Sequence, residues 1–367
     1  MTAPLEIFAV AAPGLAPALA AEIREAGFAS VVESPAGVTF RGGWPEIWRA
    51  NLTLRGATRI LVRLAAFRAM HPAQLDKRAT KLLWRDWLRP DIPVRVEATC
   101  RKSRIYHAGA ATQRIEGALT AAGIPLSPEA ELVLKVRIED DLCTISIDTS
   151  GAALHKRGLK TELNRAPMRE SLAALFLRAA GFTGTEPLCD PMCGSGTFPI
   201  EAAEIATGLF PGRARSFAFE QLASFDPEAW ETLRQPPPPR ATPHRFTGSD
   251  RDQGAVAMSR ANAERAGVAA LTGFELRPVS EAMPPEGKPG LVIANPPYGG
   301  RIGNKKALAG LYAAFGQRMK SGFPGWRVAL ITTDAGLARA TGLPFGPPGP
   351  VVDHGGTKIR LWQTPRL

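Results

Sequence analysis

At 367 residues, with 45% hydrophobic and 22% charged residues, the chain is too long for one ordinary domain and too apolar to be disordered, so two or three folded domains are expected. A net charge of +11 and an isoelectric point near 9.9 favour a polyanionic partner without identifying one. No stretch is apolar enough to span a bilayer. Cys100, Cys143, Cys189 and Cys193 form no C-x-x-C pair and have no histidine at metal spacing, so a reduced, cytoplasmic chain without structural zinc is expected.

In chain order, residues 5–10 read as a strand, 14–26 as a helix ending at Gly27, and 30–40 as a β segment broken by Pro35-Ala36-Gly37. The Ala-rich run 8–21 superficially resembles a signal peptide. It has no basic n-region, however, and Glu6, Pro13 and Pro17 interrupt it. A short helix at 44–51 and a strand at 60–67 complete a small α+β module. Between Arg55 and Arg104 there are thirteen basic residues against four acidic ones, a concentration that suits a phosphate-contacting face. The plain alternative is a solvated helix face over 77–89. Residues 93–99 alternate with period two and run directly into Arg101-Lys102-Ser103-Arg104, after which 107–122 reads as a helix and 132–138 and 143–148 as strands.

This order resembles the THUMP domain, an RNA-binding module. The following Asp148-Thr149-Ser150-Gly151 and Leu154-His155-Lys156-Arg157-Gly158 resemble the segment that joins THUMP to the methyltransferase in the bacterial 23S rRNA guanine-N2 methyltransferases. The resemblance implies RNA contacts at Arg101, Lys102, Arg104, Lys156 and Arg157. It also implies a ferredoxin-like α+β module over 1–50, a THUMP domain over 51–155 and a class I, Rossmann-like α/β methyltransferase domain over 156–367.

Residues 166–172 open a helix with a proline in its first turn. The matching A-P-x-[KR]-E stretch of the family lies over the methionine end of S-adenosylmethionine (SAM), which implies cofactor contacts at Pro167 and Arg169. Further on, a strand ends at Asp190 and a glycine-rich turn leads into a helix over 198–206, so backbone N–H groups converge on whatever binds there. A dinucleotide fingerprint would need a third glycine where this chain has Pro199, and an acidic strand end suits a cationic amino-acid tail better than a pyrophosphate. Asp190-Pro191-Met192-Cys193-Gly194-Ser195-Gly196-Thr197 closely resembles the SAM motif of class I RNA and DNA amino-methyltransferases. That likeness makes Asp190 and Met192 through Thr197 the candidate cofactor residues.

Residues 208–245 form an insertion with a proline run at 236–239, read as a stiff connector. A second strand at 245–248 leads to Asp250, placed to accept ribose hydroxyls, while Asp252 is as well placed to cap the helix over 253–266. The third strand, 274–277, ends at Pro278. Sequences resembling this one usually carry an aspartate there for the adenine amine, so the adenine contact is left to Ser280 or a backbone carbonyl.

Residues 290–294 read as a buried parallel strand, and Asn295-Pro296-Pro297-Tyr298 follows it. The prolines fix φ and leave the Asn295 side chain and the Pro296 carbonyl as outward acceptors, with Tyr298 as an aromatic face. Two acceptors and an aromatic ring suit the exocyclic amine of a nucleobase, whose two N–H groups they would hold while the ring stacks. A proline-stiffened loop is the plain alternative. Asn295 also borders the expected cofactor site. A helix over 305–320, a strand over 327–332, a loop over 342–350 and a last strand over 358–363 match the end of the class I sheet, whose final strand is antiparallel.

Two motifs in this order imply direct methyl transfer from SAM to a guanosine N2 amine in RNA, 23S rRNA first, with neither a metal nor a covalent intermediate. Alternatives are a tRNA guanine-N2 enzyme, a DNA adenine-N6 or protein glutamine methyltransferase, and a non-catalytic RNA-binding assembly factor. Some bacterial relatives carry a second methyltransferase fused behind the first; this chain is expected to be without one.

Overall fold

Strand alternation in the first half and buried apolar runs in the second generate two different sheets. The computed structural model describes residues 4–159, 168–298 and 305–367. Its chain begins β1 (Leu5–Val10), α1 (Ala16–Glu25), β2 (Ala29–Ser34), β3 (Gly37–Gly42), α2 (Trp44–Thr53), β4 (Arg59–Arg68) and α3 (Pro72–Ala79). It continues β5 (Val94–Arg101), α4 (Ala108–Ala121), β6 (Leu132–Glu139), β7 (Leu142–Asp148), α5 (Glu170–Ala179), β8 (Leu188–Asp190) and α6 (Thr197–Thr207). Then come α7 (Pro227–Arg234), β9 (Phe246–Asp250), α8 (Gln253–Ala266), β10 (Thr272–Leu276), β11 (Leu291–Ala294) and α9 (Lys305–Gly322). It ends β12 (Arg327–Thr332), α10 (Ala335–Ala340), β13 (Val352–His354) and β14 (Thr357–Gln363). Two compact units result. The first takes in the chain up to Ala11, then Ala20–Leu154 and Arg215–Gln235; the second takes in Ala12–Leu19, His155–Ala214 and Pro236–Leu367.

In the first unit, seven strands form one sheet in the order β2-β3-β1-β4-β7-β6-β5. Neighbours are antiparallel except β5 and β6, whose parallel pairing requires a crossover, and α4 supplies it. On β6, Leu132, Leu134, Val136 and Ile138 are buried while Arg137 faces out, which is the period of two read from the sequence. The helix face anticipated over 77–89 is shorter: α3 stops at Ala79, and Trp84 opens a tighter turn with its indole N–H donating to Ala79 O at 3.0 Å.

A buried polar knot closes this sheet. Asn51, 1% exposed, donates to Thr149 Oγ1 at 2.9 Å and accepts from Ser150 Oγ at 2.7 Å, while Ser150 Oγ accepts from Ile60 N at 2.8 Å. Asp148 pairs with Arg59. The Asp-Thr-Ser-Gly stretch thus earns its place in this unit as a satisfied hydrogen-bond network. Part of the 208–245 insertion belongs here too, so the connector reading holds only for its proline run. Arg215 donates to Ser150 O at 2.9 Å and Ala153 O at 3.0 Å, Phe219 N donates to Thr149 O at 3.1 Å, and Phe219 meets Trp230 edge-on at 4.9 Å.

The second unit holds an open sheet in the order β10-β9-β8-β11-β12-β14-β13. From β10 to β12 all pairings are parallel, and β14 is antiparallel to both neighbours. Every residue of β11 is buried, as expected for a strand covered on both faces. One hydrophobic cluster joins Cys189, Val292, Ala294, Val328 and Leu330 to Tyr312, Phe315 and Met319 of α9. Asp252 caps α8 through Gly254 N at 2.7 Å and Ala255 N at 3.3 Å, the second of the two roles open to it.

Candidate active site

Three adjacent parallel strands, β9, β8 and β11, end at Asp250, Asp190 and Ala294, so the glycine turn, the acidic strand end and the proline corner all open from one edge of one sheet. That carboxyl edge is where open α/β sheets collect ligands. Met192 of the turn packs against the same cluster as Ala294 and Tyr312, which ties the turn to the strand leading into the corner.

The turn is held by its neighbours' backbones. Met192 N donates to Asp190 Oδ1 at 3.1 Å, Cys193 N to Ser249 O at 3.0 Å and Gly194 N to Asp250 Oδ2 at 3.0 Å. From α8, Ser259 Oγ donates to Gly194 O at 2.9 Å, and Asn262 Nδ2 to Ser195 O at 3.1 Å. Gly196 starts α6 with φ +79°, and a Cβ there would lie 3.0 Å from Ser259 and 3.1 Å from Phe274, so no larger residue fits. At Gly194, by contrast, a Cβ would meet nothing within 4 Å among the described residues. Thr197 Oγ1 lies 3.5 Å from Met168 O, just ahead of Arg169, which is exposed at the N-cap of α5. Pro167 and the proline-bearing first turn anticipated there lie outside the described residues.

Asp190 is 2% exposed, and burial pushes its carboxyl up to about 8; the Met192 hydrogen bond opposes the shift and Asp250 adds to it. A buried carboxyl in this condition gains most from a cation. Burial also raises the thiol of Cys193 well above its ordinary value and that of Cys189 to about 12, which keeps both protonated and unreactive. All four cysteines are free, and no cluster of three or more His, Cys, Asp or Glu side chains that could hold a metal occurs among the described residues.

At the corner, Asn295 Oδ1 is buried without a hydrogen-bond partner among the described residues. Pro296 is buried. Behind it, Tyr312, 1% exposed, brings its hydroxyl to 3.4 Å from Pro297 O and 3.1 Å from Thr332 Oγ1. Tyr298 Oη lies 3.1 Å from His354 Nδ1. Sequence reading missed Tyr312, Thr332 and His354. Tyr312 left one signal: it is among only three tyrosines in the chain and lies on an otherwise apolar helix face, where its hydroxyl must find a partner.

The basic candidates separate by burial. Arg101 ends β5 and is exposed, as are Lys102 and Arg104 on the loop that follows, and Lys156 is exposed. Arg157 is not a surface contact. It is 5% exposed, paired with Glu201 and at 3.0 Å with Glu204, so its guanidinium is committed to two carboxylates and closed to phosphate. Several of the thirteen basic residues are likewise engaged, Arg59 with Asp148, Arg63 with Glu6 and Arg89 with Asp91.

A mostly parallel sheet with one inserted antiparallel strand, a glycine turn after the first central strand and Asn-Pro-Pro-Tyr after the next defines a class I methyltransferase fold. Residues 157–343 match the UPF0020 family, described as RMKL-like, methyltransferase domain, and the chain belongs to that family. Residues 6–61 match the RlmL ferredoxin-like domain. Among curated relatives, a ribosomal RNA large subunit methyltransferase K/L of Syntrophotalea carbinolica is 34% identical over 94% of this chain, which spans 51% of that protein. A Synechocystis relative named "Putative RNA methyltransferase slr0064" is 30% identical over 96% of this chain and 95% of its own length. Among solved structures, SMU.472 complexed with SAH superposes with a TM-score of 0.88 at 26% identity, over 100% of this chain and 99% of that one.

Proposed function

We propose that this chain transfers the methyl group of SAM to the exocyclic N2 amine of a guanosine in 23S rRNA. One observation carries the reading: Asn295 holds a buried acceptor, unpartnered among the described residues, at the end of the strand beside the one that leads into the glycine turn. An unmet buried acceptor costs about 1–3 kcal/mol, so a site that keeps one is built for an incoming donor. The SAH in SMU.472 and the names of the K/L relatives supply the cofactor and RNA class that the reading adopts.

The residues present fit SAM. Asp190, raised by burial, would take the cationic methionine end, Asp250 keeps lone pairs for ribose hydroxyls beside its bonds to Gly194 N and Asp252 N, and the open Gly194 admits close approach. Met192, Cys193, Ser195, Gly196 and Thr197 shape that cradle, with Arg169 and Pro167 assigned to its methionine end. When bound, SAM supplies an electrophilic methyl on a sulfonium. Asn295 Oδ1 and the Pro296 carbonyl accept the two amine hydrogens, which favours a pyramidal nitrogen with its lone pair free, and Tyr298 stacks on the base. Positioning then supplies most of the rate. Arg101, Lys102, Arg104 and Lys156 serve as phosphate contacts, residues 51–155 as the THUMP-type RNA-binding part, and the cytoplasm as the place of action; no helix among the described residues is long and apolar enough to cross a membrane.

Labelled SAM offered with purified 23S rRNA and with tRNA tests this directly. Label is expected in N2-methylguanosine of the rRNA, and Asn295→Ala should lower turnover by about 10²–10³-fold with SAM affinity retained. Labelling of tRNA alone would overturn the rRNA assignment. Labelling of neither would overturn the reaction.

A further inference from the structure

The tyrosine of the corner is not free to choose its hydrogen-bond partner. Its hydroxyl lies 3.1 Å from Nδ1 of His354, the last residue of β13, in a hairpin whose turn is Gly355-Gly356 with φ of +61° and +83°. Two consecutive left-handed glycines make a tight turn that fixes the register His354 to Thr357, and with it the place of the imidazole. Asp353 reinforces the turn by accepting from Gly356 N at 3.0 Å.

We propose that His354 is a positioning residue for methyl transfer: by accepting the Tyr298 hydroxyl hydrogen at Nδ1, it sets the direction of a hydrogen-bond chain that leaves Asn295 Oδ1 open to the target amine. This deepens, and rests on, the amine-transfer reading above. A phenol has one hydrogen to give. When that hydrogen goes to His354, the Tyr298 oxygen can receive only donors, and the nearby Asn295 amide N–H satisfies it. Burial pushes the Tyr298 phenol up to about 12 while the Asn295 side chain opposes the shift, as a donor to the phenol oxygen does. The amide is then oriented with Oδ1 away from the phenol, and that is the atom found buried and unpartnered among the described residues.

Protonation of His354 reverses the chain. An imidazolium donates at Nδ1, the Tyr298 hydrogen must turn toward Asn295, and the acceptor meant for the amine is consumed. The phenol itself stays neutral at every physiological pH, so only the imidazole can switch the direction. Among the described residues, Asp353 on its own strand feels the charge of His354 and is itself paired at 2.9 Å with Lys358 of β14; from the corner come Tyr298 and, behind it, Tyr312, both neutral.

Two measurements on the full chain test this. In nitrogen-15 spectra of histidine-labelled protein, with the His354 signals assigned by their loss in His354→Gln, the neutral ring should be the Nε2–H tautomer with Nδ1 accepting. An Nδ1–H tautomer overturns the proposal whether or not any RNA is methylated. In turnover assays, His354→Phe should lower kcat about tenfold, leave KM for SAM unchanged and abolish the fall in rate expected as the imidazole takes up a proton on the acid side. His354→Gln, which keeps an acceptor, should recover most of the rate without the acid limb, and Tyr298→Phe should also lose the limb. Retention of both wild-type kcat and the acid limb in His354→Phe overturns it. A wild-type chain inactive on every RNA sinks the transfer reading instead, and the tautomer still decides the hydrogen-bond direction.

Discussion

Asp190 shows how burial, with Asp250 adding to it, leaves a carboxyl in want of a cation. Its folded value near 8 lies above the 3.8 of an ordinary aspartate, so between those limits the folded chain holds a proton that the unfolded chain releases. The associated stability is fully present below about pH 4 and is lost as pH rises through 8. Asp190→Asn removes this titration. The ligand-free variant should therefore melt above wild type at pH 8, with the gap closing toward pH 5, and its SAM affinity should fall at least about tenfold. Thermal melts at the two pH values with SAM calorimetry decide it; parallel pH slopes in variant and wild type would sink the argument. Arg157 makes the complementary case. Burial by itself would lower its pKa, but Glu201 and Glu204 more than reverse that and hold the charge in place. Arg157→Met should destabilise the chain by about 3–5 kcal/mol in urea, because two buried carboxylates lose their cation, while RNA affinity of the folded protein stays unchanged. Lys156 and Arg157 looked alike in the sequence because a charge pattern does not record which neighbour faces inward.

Elements were legible where one local signal was enough to form them. The alternation of β6, the Asp cap and Gly267 stop of α8, and the apolar run of β11 each satisfy themselves within a few residues, and each lies where its signal placed it. Short pieces whose partners are distant were missed: β13 has three residues among glycines and prolines, and α10 has six. The proline corner could be read as a motif, but its supports Tyr312 and His354 could not, since 14 and 56 residues separate them from Tyr298. The 215–235 segment is the clearest case. Nothing local says that Trp230, 2% exposed, will meet Phe217 at 5.8 Å and Phe219 at 4.9 Å on a unit begun two hundred residues earlier in the chain. Trp230→Ala should cost about 3–5 kcal/mol of that packing. Trp230→Phe should cost much less, because the indole N–H is buried without a partner among the described residues and its removal relieves an unmet donor. Denaturant midpoints of the two variants check this, and equal losses would mean that the indole contributes through something other than packing.

For the molecule as a whole, an excess of +11 makes counterion release the driving term for the RNA partner proposed above, without saying which cations take part. Ion pairing narrows the choice. Arg59, Arg63 and Arg89 are each joined to a carboxylate, and a cation already neutralised releases little when phosphate arrives. The loop after β5 keeps its charge outward on a braced backbone: Arg104 N donates to Asp141 Oδ1 at 2.7 Å, Asp141 N to Ser103 Oγ at 3.1 Å, and Ser103 Oγ to Arg101 O at 2.8 Å. Lys102 sits there with φ +47°, a conformation rare for a lysine that the bracing over-determines. Lys102 and Arg104 are therefore presented at little ordering cost to the proposed RNA, while Arg101, 3.8 Å from Glu139, is partly neutralised already. Replacing Arg101, Lys102 and Arg104 by alanine should lower the slope of log affinity against log salt by about 1.4 to 2, at roughly 0.7 per contact for single-stranded RNA, with Arg101 adding least because Glu139 already faces it. Asp141→Ala should leave the slope nearly unchanged and weaken binding at every salt concentration, since it removes the brace and not the charge. A salt titration of RNA affinity for the three proteins separates charge from preorganisation: equal slopes for wild type and the triple variant would place the phosphate contacts elsewhere on the surface.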